Sequence, residues 1–295
     1  MPAMDLLQSI AGDIATTTGR QGVCRMLGSV AGGCINRAIR VAYGDERYFI
    51  KLNHRDALDM FAAEAQGLLE LRRVKALYVP EPVCWGREDE SAWLVLEDLD
   101  LGGPARPAAL GRGLAALHRV TQPRFGWCMD NTIGSTPQIN AERADWVDFW
   151  REQRLGYQLE LAAAKGAGEP LASRGRLLLD FLPKLFETYR PRASLLHGDL
   201  WSGNYAYLTD GRPVIFDPAV YYGDREAELA MTELFGGFQR EFYAAYEAAW
   251  PLAAGYRTRK KLYQLYHILN HFNLFGGSYL DRALTLTESL LTELR

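Results

Sequence analysis

The stretch Leu195 to Asn204, reading LLHGDLWSGN, constrains this chain more than any other, because it sets Asp199 and Asn204 five residues apart and is followed by a second aspartate, Asp217. Between them, Tyr205 to Leu208 and Val214 to Phe216 are strand-like runs around Asp210-Gly211, a dipeptide that favours a two-residue type I′ turn. Counting outward from that turn pairs Leu208 with Pro213, Tyr207 with Val214 and, further out, Asn204 with Asp217. The expectation is a strand, an acidic loop and a hairpin that places two oxygen-bearing side chains opposite each other at one end.

These three side chains form a short parts list. Phosphoryl transfer from MgATP asks a protein for a carboxylate that receives the acceptor hydroxyl's proton and for oxygen ligands to Mg²⁺. Asp199 can serve as the first, Asn204 and Asp217 as the second. The spacing D-x-x-x-x-N is that of the catalytic loop of kinases, with His197-Gly198 where many protein kinases carry His-Arg. Asp, Asn and Gly are also ordinary turn residues, so HGD alone reads equally well as a hydrogen-bonded turn. The addition of Asn204, Asp217 and the upstream features below favours the chemical reading.

Lys51 is the first of those features. Gly44-Asp45 suits a hairpin turn, and the returning strand Arg47 to Leu52 alternates so that Phe49 and Lys51 share one face while Tyr48, Ile50 and Leu52 share the other. A helix is expected from about Asp56, as N-cap, to Val74, with Phe61, Leu68 and Leu71 in an apolar stripe. Glu64 falls on that stripe, where a carboxylate is costly without a partner, and Lys51 on the preceding strand is the natural candidate. In kinases such a pair turns the lysine toward the α and β phosphates. Trp93 to Glu97 reads as another strand, and Glu97-Asp98-Leu99 after it would suit a hinge whose backbone binds an adenine.

With 295 residues and 48% apolar composition, the chain supports well-packed cores in one large or two modest domains. Its 33 basic and 36 acidic residues leave a net charge of −3, without a long basic run, which argues against nucleic acid or an acidic membrane as main partner. The opening MPAMDLLQSIAGDIA has no basic flank before a long apolar run, and no segment reaches the roughly eighteen apolar residues of a membrane span. A cytoplasmic protein is expected. Cys24, Cys34, Cys84 and Cys128 show neither C-x-x-C nor Cys/His metal spacing.

An opening helix is expected from about Asp5 to Thr17. Gly28 to Tyr43 reads as a glycine-containing loop leading into a strand, with Gly32, Gly33 and Cys34 in the part that would approach phosphates. After Gly102-Gly103-Pro104 the pattern turns helical: Ala108 to Val120, Asp145 to Ala164, Arg174 to Tyr189, Arg225 to Phe238 with Asp224 as N-cap, and more beyond Arg257. The chain thus reads as an N-terminal β-rich domain over 1–98 and a helical domain over 99–295. His118, His267 and His271 lie in helical, aromatic-rich surroundings and read as structural.

With these elements in order, the chain resembles the protein-kinase-like superfamily and, within it, the fructosamine kinase (ketosamine 3-kinase) family. The wording that carries the resemblance is Ala31-Gly32-Gly33-Cys34-Ile35, Leu196 through Asn204, Phe216-Asp217-Pro218-Ala219, Tyr222-Gly223, Glu226, Glu228-Leu229-Ala230 and Phe235-Gly236-Gly237-Phe238. Aminoglycoside and choline kinases share HGD and the late Asp but not, as a rule, WSGN and FGGF. The resemblance implies an α+β, bilobal protein-kinase-like fold with a small β-rich N-lobe and a larger, mostly helical C-lobe. It implies an ATP- and Mg²⁺-dependent enzyme that phosphorylates the 3-hydroxyl of ketosamines, free or on glycated protein side chains, as a step in deglycation.

By the same resemblance Asp199 is the base, Asn204 and Asp217 bind Mg²⁺, and Gly32, Gly33, Cys34, Lys51, Glu64, Glu97 and Leu99 serve ATP. Trp201 would offer an apolar face to the substrate, and Trp127, in the segment Phe125 to Gln138, would help form the acceptor side. The phosphate loop lacks G-x-G-x-x-G, and no D-F-G with A-P-E arrangement is present, which argues against a protein kinase with an activation loop. The alternatives are an aminoglycoside- or choline-type phosphotransferase and, in a different class, a nucleotide-binding pseudokinase. Cys34, beside two glycines, also suggests a redox-dependent homodimer through that thiol.

Overall fold

The computed structural model describes residues 2–30 and 35–295, and the chain divides into two compact units. One comprises Met1–Arg106 with Ala206–Asp217, the other Pro107–Tyr205 with Pro218–Arg295. The division is therefore not a single boundary between 98 and 99. Residues 99–106 stay with the first unit, and a short piece from the middle of the chain returns to it.

The first unit is built on an antiparallel sheet of β1 (Cys24–Val30), β2 (Arg37–Tyr43), β3 (Glu46–His54), β4 (Pro82–Glu88) and β5 (Ser91–Glu97), in the order β1-β2-β3-β5-β4. Tyr43 lies opposite Glu46, so Gly44-Asp45 makes the expected two-residue turn, with Gly44 at φ +61°. The alternation of β3 has the expected result: Tyr48, Ile50 and Leu52 join Ile39, Val41, Trp93 and Val95 in a core closed by Ile10 and Ile14 of helix α1 (Pro2–Thr18). Each fully buried aliphatic side chain there contributes roughly 1.5–3 kcal/mol.

Helix α2 (Leu58–Val74) begins two residues later than expected. Arg55–Ala57 form a 3₁₀ turn whose cap is His54, and the Asp56 carboxylate turns back to within 3.0 Å of the His54 ring instead of capping the helix. Phe61, Leu68 and Leu71 are buried along its inner face. Lys75, at φ 57°, ends it in the left-handed conformation.

The hairpin strands Tyr205–Tyr207 and Pro213–Ile215 pair, but not in the register expected from the sequence. Gly211 N–H donates to the Leu208 carbonyl (2.7 Å) and Leu208 N–H donates to the Arg212 carbonyl (2.9 Å). Gly211 sits at φ +82°. This is a three-residue loop, a type I turn closed by a left-handed glycine, in place of the two-residue turn. Asp210 explains the choice, since its side chain accepts from Arg212 N–H at 2.9 Å and stabilises the longer loop. Counting outward from Leu208 and Arg212 shifts every pair by one residue, and the count that matched Asn204 with Asp217 no longer holds. Tyr78 pins the second strand, donating to Pro213 O and accepting from Ile215 N–H.

The second unit is mostly helical: α3 (Pro107–His118), α4 (Trp146–Trp150), α5 (Tyr157–Ala164), α6 (Glu169–Phe181), α7 (Arg225–Thr232), α8 (Arg240–Ala249), α9 (Tyr256–Phe275) and α10 (Tyr279–Leu294). The helix expected over Asp145 to Ala164 is interrupted by a π-helical turn at Arg151–Gly156. The one expected over Arg225 to Phe238 stops at Thr232, and Gly236 and Gly237, at φ +88° and +72°, turn the chain instead. Asp224 caps α7 as expected, accepting from Glu226 N–H at 3.0 Å. Helix α8 was not foreseen, because only Phe242 and Tyr246 of its ten residues are buried and the apolar stripe is thin. Among the described residues no helix is long and apolar enough to cross a membrane.

What matters for chemistry is a three-stranded sheet in this unit. Ala193–Leu196, buried at all four positions, runs between Tyr221–Gly223 and Thr121–Gln122. Its last residue delivers the chain directly into His197-Gly198-Asp199.

Candidate active site

The loop from His197 to Asn204 closes on itself. Asn204 Nδ2 donates to the Asp199 carbonyl at 2.9 Å and lies 3.4 Å from Asp199 Oδ2, so the D-x-x-x-x-N spacing returns the amide to the aspartate that opens it. That bond orients the amide with its oxygen turned away from the Asp199 carbonyl. Asn204 N–H donates to Trp201 O at 3.0 Å, which folds the segment between them into a tight turn. The Trp201 indole lies over Gly203, where a Cβ would come within 2.4 Å of the ring, and it remains 38% exposed.

The loop is held from both sides. Gly198 adopts φ +87°, and a Cβ there would lie 1.9 Å from the Ala219 carbonyl, so only glycine fits. Ala219 N–H donates to His197 O at 2.8 Å. On the other side, the Glu228 carboxylate accepts Gly198 N–H at 2.7 Å and His197 N–H at 2.9 Å. Sequence reasoning quoted Glu228 without giving it a task. The available signal was an acid beside the apolar Ala227, Leu229, Ala230 and Met231, which has to find donors when buried.

The segment that includes Trp127 proves to be a brace. Asn131 Nδ2 donates to Val220 O at 2.8 Å, and Gln138 Nε2 donates to Asn131 Oδ1 at 2.8 Å and to Ala219 O at 3.0 Å. Asn140 extends this network to the buried guanidinium of Arg154. Trp127 itself is only 6% exposed and offers little surface to a substrate, unlike Trp201.

In the first unit, Lys51, Glu64 and Asp217 come together. Lys51 Nζ lies 2.5 Å from Glu64 Oε1 and 2.6 Å from Asp217 Oδ1. The lysine and glutamate side chains are nearly buried, whereas Asp217 is half exposed. Burial lowers the pKa of the Lys51 ammonium, but the Asp217 and Glu64 carboxylates outweigh it and hold the group above the ordinary lysine value. Burial pushes Glu64 above the usual carboxylate range, against the pull of Lys51. Asp217 adopts φ +58°, uncommon for a residue with a side chain and doubly so before a proline. Such strain costs on the order of 1–3 kcal/mol and is concentrated at functional sites.

The expected hinge is partly committed elsewhere. Glu97 N–H donates to Glu81 O at 2.9 Å, its carboxylate accepts from Tyr78 and from Glu81 N–H, and Asp98 pairs with Arg40 at 2.9 Å. The Glu97 amide is thus not available to a base. Among the described residues, no hydrogen bond distinguishes Leu99. Gly32, Gly33 and Cys34 lie outside the described residues, so the phosphate-loop reading and the Cys34 dimer rest on sequence. Among the described residues, no group of three or more His, Cys, Asp or Glu side chains is arranged to hold a metal ion.

Comparison with known proteins agrees with this geometry. The family model described as fructosamine kinase matches residues 6–293. A probable ketoamine kinase of Synechocystis is 46% identical over 287 residues, which cover 96% of each chain. The chloroplastic protein-ribulosamine 3-kinase of Arabidopsis thaliana is 41% identical over 95% of this chain and 86% of its own length. Among solved structures, a putative fructosamine-3-kinase from Haemophilus somnus superposes with a TM-score of 0.88 at 28% identity, covering 96% of both chains. Aminoglycoside phosphotransferases share the protein-kinase-like fold at much lower identity. With nearly its whole length matched and its HGD loop, Lys51–Glu64 pair and Asp217 in order, the chain belongs to the fructosamine kinase family.

Proposed function

We propose that this protein transfers the γ-phosphoryl group of ATP to the 3-hydroxyl of a ketosamine, as a repair step that destabilises sugar adducts on amines. The observation that carries the reading is the closure of Asn204 on Asp199, which gathers a carboxylate and an amide oxygen on one glycine-tightened loop. Family membership supports the substrate class, since the relatives are named for ketoamines and for ribulosamine on proteins. A cytoplasmic location suits an ATP-consuming repair enzyme.

In this reading Asp199 accepts or orients the proton of the attacking hydroxyl, and its own position is set by the His197 and Gly198 amides that Glu228 accepts and by the His197 carbonyl that accepts from Ala219 N–H. Lys51, oriented by Glu64, neutralises the α and β phosphates. Trp201 presents its exposed face to the sugar or its amine. By the family pattern, Asn204 and Asp217 would each offer Mg²⁺ a hard oxygen donor of the kind it prefers. Bound there, the ion would neutralise charge on the transferring phosphoryl group.

The test is incubation with MgATP and a panel of ribulosamine, erythrulosamine and fructosamine derivatives beside an aminoglycoside and choline, with NMR of each product. Phosphorylation of ketosamines at the 3-hydroxyl is expected, ribulose and erythrulose derivatives ahead of fructose ones. Turnover of the aminoglycoside or choline alone would overturn the assignment.

A further inference from the structure

His118, which reads from the sequence as a structural histidine, is the last residue of α3, yet its contacts lead to the catalytic loop. Its ring is fully buried, as is Glu228. Nε2 lies 2.9 Å from Glu228 Oε2, and Nδ1 lies 2.8 Å from the Tyr246 hydroxyl. Tyr246 in turn lies 3.2 Å from Arg225 Nη1, and Arg225 is anchored on the Trp250 and Pro251 carbonyls at 3.0 and 2.6 Å.

Donor inventory orders this chain of contacts. Arginine only donates, so the Tyr246 oxygen accepts from Arg225 and the hydroxyl proton goes to His118 Nδ1. The ring then carries its own proton on Nε2 and donates it to Glu228. The carboxylate thereby receives three N–H groups: His118 and His197 on Oε2, Gly198 on Oε1. Burial would raise the Glu228 carboxyl, but the hydrogen bond from His118, with the His197 contribution, holds it below its usual value. A buried carboxylate satisfied in this way has one orientation available, and the two loop amides inherit it.

We infer that His118 is a positioning residue for phosphoryl transfer: acting through Glu228, it fixes the His197 and Gly198 amides and so the placement of Asp199. The inference rests on the reading of Asp199 as the base. Nothing in it requires His118 to touch substrate or nucleotide. A displacement of about 1 Å at a reacting group is enough to cost about 10²-fold in rate, so a contact at this remove can govern turnover.

Two substitutions separate the halves of the ring. In His118→Gln the amide nitrogen reaches the place of Nε2 and keeps the bond to Glu228, whereas in His118→Asn the amide reaches only the place of Nδ1, where its oxygen accepts the Tyr246 hydroxyl proton and no donor reaches Glu228. For His118→Asn, kcat should fall about 10²-fold with the KM for ATP changed less than about twofold, while His118→Gln stays within about threefold of wild type. Equal turnover of the two variants, or the reverse order, would overturn the inference, because a role in packing alone does not distinguish them.

Native-state amide exchange supplies a readout that needs neither activity nor a folded variant. In the wild-type protein the His197 and Gly198 amides should exchange only with global unfolding. Exchange of either at the rate of exposed loops would also sink the inference. If no ketosamine is phosphorylated by the wild type, the functional reading fails while the exchange data still judge the His118–Glu228 brace.

Discussion

Lys51 and Asp217, separated by 166 positions in sequence, are joined by an ion pair of 2.6 Å, and the same ammonium holds Glu64 at 2.5 Å. One buried cation therefore carries two acids of unequal exposure. Glu64, with 11% of its side chain exposed, depends on Lys51 far more than Asp217 does.

Replacing Lys51 with Met should therefore destabilise the protein by about 3–5 kcal/mol, mainly through the carboxylate left unpaired at Glu64. Adding Glu64→Leu should recover much of that loss while activity stays absent. Urea denaturation of the single and double variants measures both. A double variant no more stable than the single one would refute the pairing argument.

Asp199→Asn should lower kcat by roughly 10² to 10⁴-fold with ATP binding largely intact. Steady-state kinetics beside nucleotide titration checks this. Retention of more than about half the wild-type turnover would remove Asp199 from the role of base.

For Asp217→Asn, activity and fold should part company. Asn tolerates the left-handed backbone at φ +58° as well as Asp does, and Glu64 still pairs with Lys51, so the thermal midpoint should fall only by what the Lys51–Asp217 ion pair contributes. The Mg²⁺ concentration needed for half-maximal turnover should rise, since a neutral amide replaces the proposed carboxylate ligand. An unchanged magnesium titration would show that Asp217 is not a ligand.

Gly198→Ala combines two penalties, a β-carbon 1.9 Å from the Ala219 carbonyl and a backbone at φ +87°. The backbone strain alone is on the order of 1–3 kcal/mol, and relief of the clash would shift the loop. Loss of both stability and turnover is expected, measured by thermal unfolding and kcat. A fully active, equally stable Gly198→Ala protein would contradict the described packing.

His267 sets an acid-side stability limit. Its ring is buried, and burial, with smaller effects of His271 and Arg154, pushes its pKa down from 6.5 to about 3. The unfolded chain then binds one more proton than the native state between these values, so stability falls as pH drops through that window. The slope attributable to this residue reaches at most about 1.4 kcal/mol per pH unit. Urea unfolding at pH 7.5, 6.5 and 5.5 should show a shallower decline for His267→Gln than for wild type, and parallel declines would exclude the histidine as the cause.

Alternation and spacing made much of this molecule legible. The faces of β3, the Lys51–Glu64 pair and the Asp224 cap all follow from periods of two and 3.6 and from one costly buried charge. The loop from Asp199 to Asn204 could be found because its chemistry demands a spacing. Hairpin register could not, since Asp210-Gly211 suits both a two-residue and a three-residue loop and the choice is made by the Asp210 bond to Arg212. The late start of α2 depended on His54 capturing Asp56, and the early end of α7 on two glycines whose turn cannot be read from an apolar stripe. Glu228 was hidden for a different reason: two of its three partners are backbone amides, which carry no side-chain signature, and the third, His118, lies 110 positions away.

The hairpin that returns to the first unit has a consequence for how the protein is made. Ribosomes add roughly 5–20 residues per second, and neighbouring stretches of chain fold as they emerge. Lys51 can meet Glu64 as soon as α2 is complete, but its second acid arrives only after Asp217 has been synthesised, later by seconds to tens of seconds at that pace. During that interval the first unit lacks Ala206–Asp217, and the edge that Tyr78 offers to Pro213 and Ile215 has no strand to receive. Its final form is thus a late event of biosynthesis, reached only once the acidic loop that precedes the hairpin has left the ribosome.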